Sequence, residues 1–204
     1  MPHPQTGDIA ERKRQIRQQA TAQRQSQADR DSLSRDIFAR VTALPEYQAA
    51  RTVMYYVAMP VEVQTRDALA TALSSVKRVV VPYCVAGELA LFRLESMDEL
   101  EPGTWDIPEP CGHLRSVPEK QVHVDELDVV IVPGVAFDRF GGRLGHGKAY
   151  YDRLLARAKR NTQRIAVAYE CQMFPQIPMS PHDVYMDKVV TEGAVYCPPG
   201  ARES

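Results

Sequence analysis

The sequence predicts an α/β fold in which a mostly parallel sheet carries helices on both faces. TVMYYVA (52–58) and RVVVP (78–82) are short runs of β-branched and aromatic residues, and a helical pattern separates them. A strand, a helix and a strand within about thirty residues form a βαβ unit, which implies parallel strands. The 204 residues, 44% of them hydrophobic, can bury one core, so we expect a single domain over 1–204.

Residues 8–44 are expected to form an N-terminal helical segment packed on this domain. Residues 8–30 are rich in Gln and Arg and contain very few apolar positions. Apolar residues in 33–44 recur at spacings of four, four and three, as they do on one face of a helix: Leu33, Ile37, Val41 and Leu44. The chain is therefore predicted to begin with a long helix, followed by an amphipathic one.

The middle of the chain continues the alternation of helix and strand. TRDALATALSSV (65–76) predicts a helix with Thr65 as its N-cap and one apolar face, made of Leu69, Leu73 and Val76. ELALFRL (88–94) predicts a strand that runs antiparallel after a turn at Gly87. The Pro- and Gly-rich segment 101–120 is expected to hold no regular element.

Three further apolar runs predict the remaining strands: DVVIVP (128–133), RIAVAYE (164–170) and DKVVTE (187–192). Between the first two, a helical stripe is formed by Tyr151, Leu154, Leu155 and Ala158. These elements complete a mostly parallel, mixed sheet with helices on its faces.

Composition excludes several classes of protein. The formal net charge of -1 argues against nucleic acid or an acidic membrane as a partner, and no apolar run is long enough to span a bilayer. The N-terminus lacks the apolar stretch of a signal peptide. The cysteines lie far apart without a C-x-x-C pair: Cys84, Cys111, Cys171 and Cys197. We therefore expect reduced thiols, a cytoplasmic protein and no zinc site.

The stretch GRLGHGKAYYDRLL (142–155) contains most of a phosphate-binding P-loop. In a P-loop the strand runs almost directly into the glycines, and a hydroxyl after the Lys binds Mg²⁺. Here nine residues separate Val132 from Gly142, and Ala149 has no hydroxyl. A P-loop is therefore disfavoured.

The ingredients of an anion site nevertheless remain in this stretch. Its glycines allow several backbone N–H groups to point toward one place, and the N-terminus of the next helix favours negative charge. Arg143, His146 and Lys148 add donors along the loop, and Asp152 in the first helical turn could bind a metal ion. The alternative is a surface loop whose Asp152 only complements the helix dipole.

At this point the residues carry a family resemblance. PGVAFDRFGGRLGHGKAYYDR resembles the signature of the 5-formyltetrahydrofolate cyclo-ligases, also called methenyltetrahydrofolate synthetases. Further stretches resemble that family in the expected order, from about residue 12 to 192: RKRQIR, MPVEVQT (59–65), WDIPEP (105–110), DVVIVPG (128–134) and MDKVVTE (186–192). The resemblance implies a three-layer fold similar to those of sugar-phosphate isomerases and CoA transferases.

The family's activity, as the resemblance implies it, is the conversion of 5-formyltetrahydrofolate to 5,10-methenyltetrahydrofolate with ATP and Mg²⁺. ATP would phosphorylate the formyl oxygen, N10 would attack the activated carbon, and phosphate would leave. Such a transfer depends on positioning and charge neutralisation rather than on a protein nucleophile. The implied ligands are 5-formyltetrahydrofolate, with or without a polyglutamate tail, and ATP.

The resemblance also implies which residues bind ATP and the metal ion. Lys13 and Arg17, four residues apart on one helical face, match basic residues that reach ATP. The ATP loop is matched by Arg143, Leu144, Gly145, His146, Gly147, Lys148, Ala149, Tyr150 and Tyr151. The catalytic roles are matched by Lys148, Arg143 and Tyr150, and the Mg²⁺ positions by Asp152 and Asp187. Without the resemblance, the basic N-terminal segment is typical of a solvated helix.

The resemblance also implies a folate site, which would lie between the bound ATP and the segment 57–62. Its residues are Val57, Met59, Glu62, Trp105, His146 and Tyr150. Glu62 would accept hydrogen bonds from the amino and N–H donors of the pterin ring, and Trp105 would stack on the ring. Taken alone, Glu62 is typical of a loop charge and Trp105 of a core residue.

The sequence departs from the family pattern at two positions. His146 stands where Arg is common, which would make the charge there depend on pH. Ala149 stands where Gly is common. A positive φ there would strain the loop by about 1 kcal/mol. We expect instead that the helix has already begun at Ala149, where Ala is the better residue.

Three competing functions remain open at the level of sequence. A protein that sequesters 5-formyltetrahydrofolate without turnover would need a lost phosphate or metal site. A sugar-phosphate isomerase would need a base beside the phosphate loop and no ATP. A nucleic-acid module would bind in a salt-dependent way. No long exposed apolar patch is evident, so we expect a monomer.

Overall fold

The computed structural model describes residues 4–103 and 107–199, with side chains from Asp8 onward. Its helices are α1 (Pro4–Gln25), α2 (Arg30–Ala43), α3 (Pro45–Ala49), α4 (Arg66–Leu73) and α5 (Tyr150–Arg157). Its strands are β1 (Thr52–Met54), β2 (Arg78–Val85), β3 (Glu88–Leu94), β4 (Leu100–Pro102), β5 (Pro108–Pro110), β6 (Val129–Val132), β7 (Ala136–Phe137), β8 (Arg143–Leu144), β9 (Gln163–Val167), β10 (Lys188–Val190) and β11 (Val195–Tyr196).

Seven of these strands form one mixed sheet in the order β11-β10-β9-β6-β1-β2-β3. The five inner strands β10, β9, β6, β1 and β2 are parallel to one another, and β11 and β3 pair antiparallel with β10 and β2 at the two edges. The chain leaves β1 toward β2 on one side and leaves β6 toward β9 on the other. The adjacent strands β1 and β6 therefore flank a topological switch point, where the carboxyl ends of the strands open a crevice.

Successive residues of the inner strands alternate between two hydrophobic cores, as the two-residue period of a strand requires. Val53 and Ile131 face the core that also contains Ile37 of α2 and Leu69 of α4. Met54 and Val132 face the other core, which contains Leu154 and Leu155 of α5. The sheet thus lies between two helical layers, and the α/β fold with a mostly parallel sheet is confirmed.

The N-terminal segment forms a long helix, α1, followed by α2, and the two are divided at Asp29, whose φ is 53°. Two local predictions were wrong in extent. The strand predicted over 52–58 pairs as β1 only to Met54, after which the chain turns toward Glu62. Helix α4 ends at Leu73, so Val76 lies beyond it and is fully exposed.

The segment 101–120 also contains regular structure that was not expected. Strands β4 and β5 form a two-stranded antiparallel ribbon in which Pro102 pairs with Pro108. Both strands of an isolated ribbon are edges, where proline is tolerated because its missing N–H faces away from the partner. Composition alone therefore misjudged this segment.

The hairpin of β7 and β8 sets the starting point of the glycine-rich loop. Asp138, which is 2% exposed, accepts hydrogen bonds from the backbone N–H groups of Phe140 and Gly142, both at 2.8 Å. Its other oxygen accepts the N–H of Ile177 at 2.6 Å. Gly141, with φ of 81°, completes the turn. This hydrogen-bonded turn places Arg143 near the end of β6.

Candidate active site

Most of the predicted site residues lie at the crevice between the carboxyl ends of β1 and β6, whereas Asp187 directly precedes β10 at the opposite ends of the parallel strands. The segment after β1 carries Glu62, and the segment after β6 begins with Pro133 and Gly134. The glycine-rich loop and one face of α1 close the same region. Ligands of open α/β sheets bind at such a switch point, so the location is the one that the topology favours.

Glu62 is a buried carboxylate held by its own loop. It is 5% exposed, and its Oε2 accepts the backbone N–H of Met59 at 3.0 Å. Its Oε1 lies 3.9 Å from Arg24 Nη1 and 3.8 Å from His146 Nε2. His146 thereby joins the glycine-rich loop to the segment that was predicted to bind folate.

One face of α1 holds polar side chains that contact three different loops. Lys13 donates to Ser180 Oγ at 3.0 Å and forms an ion pair with Asp183. Arg17 Nε donates to the carbonyl of Gly145 at 2.8 Å. Farther along the helix, Arg24 Nη1 donates to the carbonyl of Gly134 at 3.3 Å. Lys13 and Arg17 therefore lie on one face, as predicted.

Arg143 and Asp152 form a largely buried ion pair at the base of the loop. Arg143 Nη2 donates to Asp152 Oδ2 at 2.8 Å, and the two side chains are 4% and 17% exposed. The Arg143 guanidinium also lies 5.7 Å from the centroid of the Tyr151 ring. Asp152 Oδ1 accepts the backbone N–H of Val184 at 3.3 Å. A charge-assisted pair of this kind fixes both groups beside the loop.

Ala149 is where the structure corrects the sequence-based interpretation. It is the N-cap of α5, with φ of 52° and ψ of 22°, and it makes no side-chain cap hydrogen bond. The helix begins at Tyr150, so the expectation that it had already begun at Ala149 was wrong. A left-handed conformation places Cβ close to the following carbonyl, so Ala here carries strain that Gly would not.

The tip of the loop is open to solvent. His146, Gly147, Lys148 and Ala149 are exposed, while Tyr150 is half-buried with Arg153 5.3 Å from its ring centroid. Gly147, with φ of 90°, turns the backbone there. The Lys148 side chain is consequently available to a ligand.

Two residues of the predicted ATP loop have a different environment. Leu144 packs in a small core with Ala20 of α1, and its carbonyl accepts the N–H of Val135 at 2.7 Å. Tyr151 packs against both main cores. Their side chains support the loop from below.

The predicted folate residues are only partly within the described structure. Val57 and Met59 are half-buried on the segment between β1 and Glu62. Val57 packs against the core, and Met59 anchors the Glu62 carboxylate through its backbone. Trp105 lies outside the described residues.

The two predicted metal positions are not equivalent. Asp187 immediately precedes β10, is 7% exposed, and its Oδ2 accepts the backbone N–H of Arg164 in β9 at 2.8 Å. Asp152 lies in the first turn of α5, beside the loop. Over 4–103 and 107–199, no group of three or more His, Cys, Asp or Glu is arranged to hold a metal ion. A protein-only cage is therefore absent there, and Asp152 is the carboxylate that adjoins the loop.

Buried tyrosines surround Glu62. Burial raises the pKa of Tyr56 and of Tyr151 above the ordinary value, and the nearby Glu62 carboxylate raises both further. Burial likewise raises the pKa of Tyr169, whose hydroxyl donates to the carbonyl of Glu62 at 2.8 Å. These hydroxyls stay neutral, and those of Tyr56 and Tyr169 hold the Glu62 segment in place by donating to the carbonyls of Val63 and Glu62.

Sequence reasoning missed Arg24, Tyr56, Tyr169 and Asp183. The missed signal for Arg24 was its spacing, since Lys13, Arg17, Ala20 and Arg24 follow the three- and four-residue steps of one helical face. The polar residues on that face suggested a solvated surface, because too few apolar residues lie among them to indicate burial. No comparable signal distinguishes Asp183.

A mixed α/β sheet with a charged crevice at its switch point is the architecture of a ligand-binding α/β enzyme. Residues 9–192 match the model of the 5-formyltetrahydrofolate cyclo-ligase family, so the chain belongs to that family of enzymes.

Relatives and solved structures agree with this assignment. A probable 5-formyltetrahydrofolate cyclo-ligase of Schizosaccharomyces pombe is 32% identical over 79% of this chain and 84% of its own. The 5-formyltetrahydrofolate cyclo-ligase of Escherichia coli strain K12 is 31% identical over 77% of this chain and 86% of its own. The 5,10-methenyltetrahydrofolate synthetase of Aquifex aeolicus, solved by NMR, superposes with a TM-score of 0.80 and 32% identity, covering 94% and 95% of the two chains. The likeness to isomerases and CoA transferases stays a prediction.

None of the helices in the described part of the chain is long and apolar enough to cross a membrane.

Proposed function

We propose that this enzyme converts 5-formyltetrahydrofolate to 5,10-methenyltetrahydrofolate, using ATP and Mg²⁺ and releasing ADP and phosphate. The names of the relatives supply the substrate and the product. The observation that carries the proposal is the contact between two parts of the site. His146 of the glycine-rich loop lies 3.8 Å from the buried Glu62 carboxylate, so a phosphate-binding loop adjoins an acceptor suited to the donors of a pterin ring.

The reaction needs two activations that this site can support. An N-formyl group is an amide, whose carbon is a poor electrophile and whose oxygen is a poor leaving group. Transfer of the γ-phosphoryl group from ATP to the formyl oxygen corrects both defects and releases ADP. The lone pair of N10 then attacks the formyl carbon, the N10 proton is lost, and the C–O bond breaks to release phosphate.

The residues of the chain position the reactants and neutralise charge. The exposed Lys148 and the N-terminus of α5 would take the transferring phosphoryl group, while the buried Arg143 would hold the Asp152 carboxylate in place at the base of the loop. Arg17, whose Nε is bound to Gly145, would approach the same phosphates from α1. Glu62 would orient the pterin. Positioning of this kind is the principal contribution of a protein to phosphoryl transfer.

The site fits a Mg²⁺ ion bound mainly by the nucleotide. Mg²⁺ usually takes one or two carboxylates together with substrate phosphates rather than a protein cage. Asp152, which is paired with Arg143 beside the loop, would supply that carboxylate. Asp187 accepts a backbone N–H of β9 and directly precedes β10, so it lies at the amino ends of the parallel strands rather than at the crevice. When bound, the ion would neutralise charge on the β- and γ-phosphates. Asp187 is thus the weaker of the two candidates.

The test follows the absorbance of the methenyl product in a mixture of enzyme, 5-formyltetrahydrofolate, ATP and Mg²⁺. We expect a steady rise that needs both ATP and Mg²⁺. Lys148→Ala should abolish this rise, while Lys159→Ala, which removes an exposed lysine beyond the end of α5, should not. Folate binding without any product would favour the sequestering protein instead, and binding of neither ligand would refute the proposed function.

A further inference from the structure

A buried arginine of α1 lies against the carboxylate that the proposed function assigns to the folate. The side chains of Arg24 and Glu62 are 3% and 6% exposed, and Arg24 Nη1 lies 3.9 Å from Glu62 Oε1. The same nitrogen donates to the carbonyl of Gly134, and the buried Arg24 Nε has no hydrogen-bond partner among the described residues. Burying a guanidinium whose N–H donors are not all hydrogen-bonded costs free energy, so this arrangement needs an explanation.

We propose that Arg24 is a positioning residue that compensates the charge of the buried Glu62 carboxylate and directs it at the N–H donors of the pterin ring. This inference rests on the proposed function, because it takes Glu62 as the acceptor of the folate.

The two oxygens of Glu62 have different surroundings. Oε2 is occupied by the backbone N–H of Met59 at 3.0 Å. Oε1 faces Arg24 at 3.9 Å and His146 at 3.8 Å, and both separations are too long for a hydrogen bond. Within the described residues, Oε1 therefore keeps its lone pairs for a ligand while a cation stands beside it.

Arg24 carries a permanent charge, whereas the other groups that face Glu62 do not. His146 is half exposed and is charged only when protonated. The remaining titratable groups are the neutral hydroxyls of Tyr56, Tyr151 and Tyr169. A guanidinium keeps its charge at any physiological pH, so Arg24 compensates the buried carboxylate when His146 is neutral.

Removal of Arg24 should consequently act on Glu62 rather than on the whole site. A buried carboxylate without a nearby permanent cation favours its protonated form. A protonated Glu62 accepts fewer hydrogen bonds from the pterin, so folate binding weakens most at low pH and recovers as the pH rises. ATP binding, which the loop and the N-terminus of α5 would provide, should change little.

The experiment compares the wild type with Arg24→Met, Arg24→Lys, Glu62→Gln and the double variant Arg24→Met/Glu62→Gln. Arg157→Gln, on the exposed side of α5, is the control for loss of one positive charge. The KM values for 5-formyltetrahydrofolate and ATP, kcat and the thermal midpoint are measured from about pH 5.5 to 8.5. We expect Arg24→Met to raise the folate KM about tenfold or more at the lowest pH. The ATP KM should change less than about twofold, and Arg24→Lys should recover part of the loss.

Several results would overturn the inference. In the Glu62→Gln background, Arg24→Met should have no further effect on the folate KM, because its target is already neutral. Additive losses, equal rises in both KM values, or a ratio to wild type that does not vary with pH would make Arg24 only a structural support of Gly134. If the wild type gives no methenyl product, the proposed function fails. Equilibrium dialysis of 5-formyltetrahydrofolate against the same variants then decides the role of Arg24 separately.

Discussion

Ala149 occupies a backbone conformation that ordinarily favours glycine, at the position where the glycine-rich loop enters α5. A residue with Cβ pays roughly 1–2 kcal/mol for the left-handed region, whereas Gly loses about 0.5–1 kcal/mol more backbone entropy on folding. We therefore expect Ala149→Gly to raise the stability by roughly 0.5–1 kcal/mol, or a few degrees in the thermal midpoint. Calorimetry measures this change.

The turn between β2 and β3 offers a matched control. Ala86 has φ of 49° and, like Ala149, is exposed. Ala86→Gly should stabilise the protein to a similar extent. If the loop strain also misplaces the N–H groups that we propose bind phosphate, only Ala149→Gly should lower the KM for ATP. A destabilised Ala149→Gly variant would mean that the backbone there is not strained.

Asp152 and Asp187 were predicted as a pair of metal ligands, but their surroundings differ: Asp152 is paired with Arg143 beside the loop that we propose binds ATP, and Asp187 accepts a backbone N–H of β9. Asp152→Asn should raise the Mg²⁺ concentration needed for half-maximal turnover by about tenfold or more, because a neutral amide is a weaker ligand of a hard cation. Asp187→Asn should lower the thermal midpoint by weakening the bond to the Arg164 backbone, with a cost of about 1 kcal/mol. A Mg²⁺ titration of turnover separates the two effects, and an equal rise in both variants would return Asp187 to the metal site.

At the scale of elements, α1 differs from the other helices in how it is held. Over residues 8–25, its contribution to the hydrophobic clusters is small and comes from the buried Ala20 and the half-buried Ile16. The helix is attached mainly by polar contacts to three loops, made by Lys13, Arg17 and Arg24. A helix attached in this way depends on charge, so its docking should respond to pH and salt more than the core does.

The ion pair of Lys13 and Asp183 gives this dependence a direction. Burial raises the pKa of Asp183, but the hydrogen bonds from Lys13 and from the Ser180 backbone outweigh burial, and the net pKa is lowered. A lowered folded-state pKa contributes stability above the unfolded value, and that stability is lost as the pH falls through the folded value. Lys13→Met should therefore destabilise the protein at neutral pH, and the difference should shrink as the pH falls below about 4, toward the lowered pKa of the folded state.

Thermal melts of the wild type and Lys13→Met between about pH 7 and pH 3 would measure this loss. Lys159→Met removes an exposed lysine and should show no such convergence with the wild type. A difference that stays constant down to the lowest pH would assign the effect of Lys13 to packing of its methylene chain rather than to the ion pair.

The sequence predicted the elements whose signals are local and apolar. The runs 129–132 and 165–167 became parts of inner strands because they are buried on both faces of the sheet and therefore appear as continuous apolar segments. The buried face of α1 could not be found in this way, since its partners are loop carbonyls and Asp183. The ribbon of β4 and β5 and the strain at Ala149 depend on tertiary context that no local pattern carries.

The site can likewise be divided into residues that a local pattern predicted and contacts that only the folded chain creates. Motifs that lie within one loop, such as Arg143 to Lys148, were located by their spacing and by the family resemblance. The contact between Glu62 and His146, and the presence of Arg24 beside them, arise from residues far apart in the chain. They required the sheet to bring the ends of β1 and β6 together.

Considered as a whole molecule, the enzyme joins separate parts of the chain at one crevice, so its ligands should stabilise it through distinct contacts. A ligand that binds only the folded state adds about 2.7 kcal/mol at one hundred times its Kd. For a protein of this size, that corresponds to a rise of roughly 5–10 °C in the thermal midpoint.

We expect both Mg²⁺·ATP and 5-formyltetrahydrofolate to produce such a rise in the wild type. Glu62→Gln should lose much of the folate rise and keep the ATP rise, whereas Lys148→Ala should lose much of the ATP rise and keep the folate rise. Scanning calorimetry at fixed ligand concentrations tests this pattern, and loss of both rises in either variant would mean that the two halves of the site are not separable.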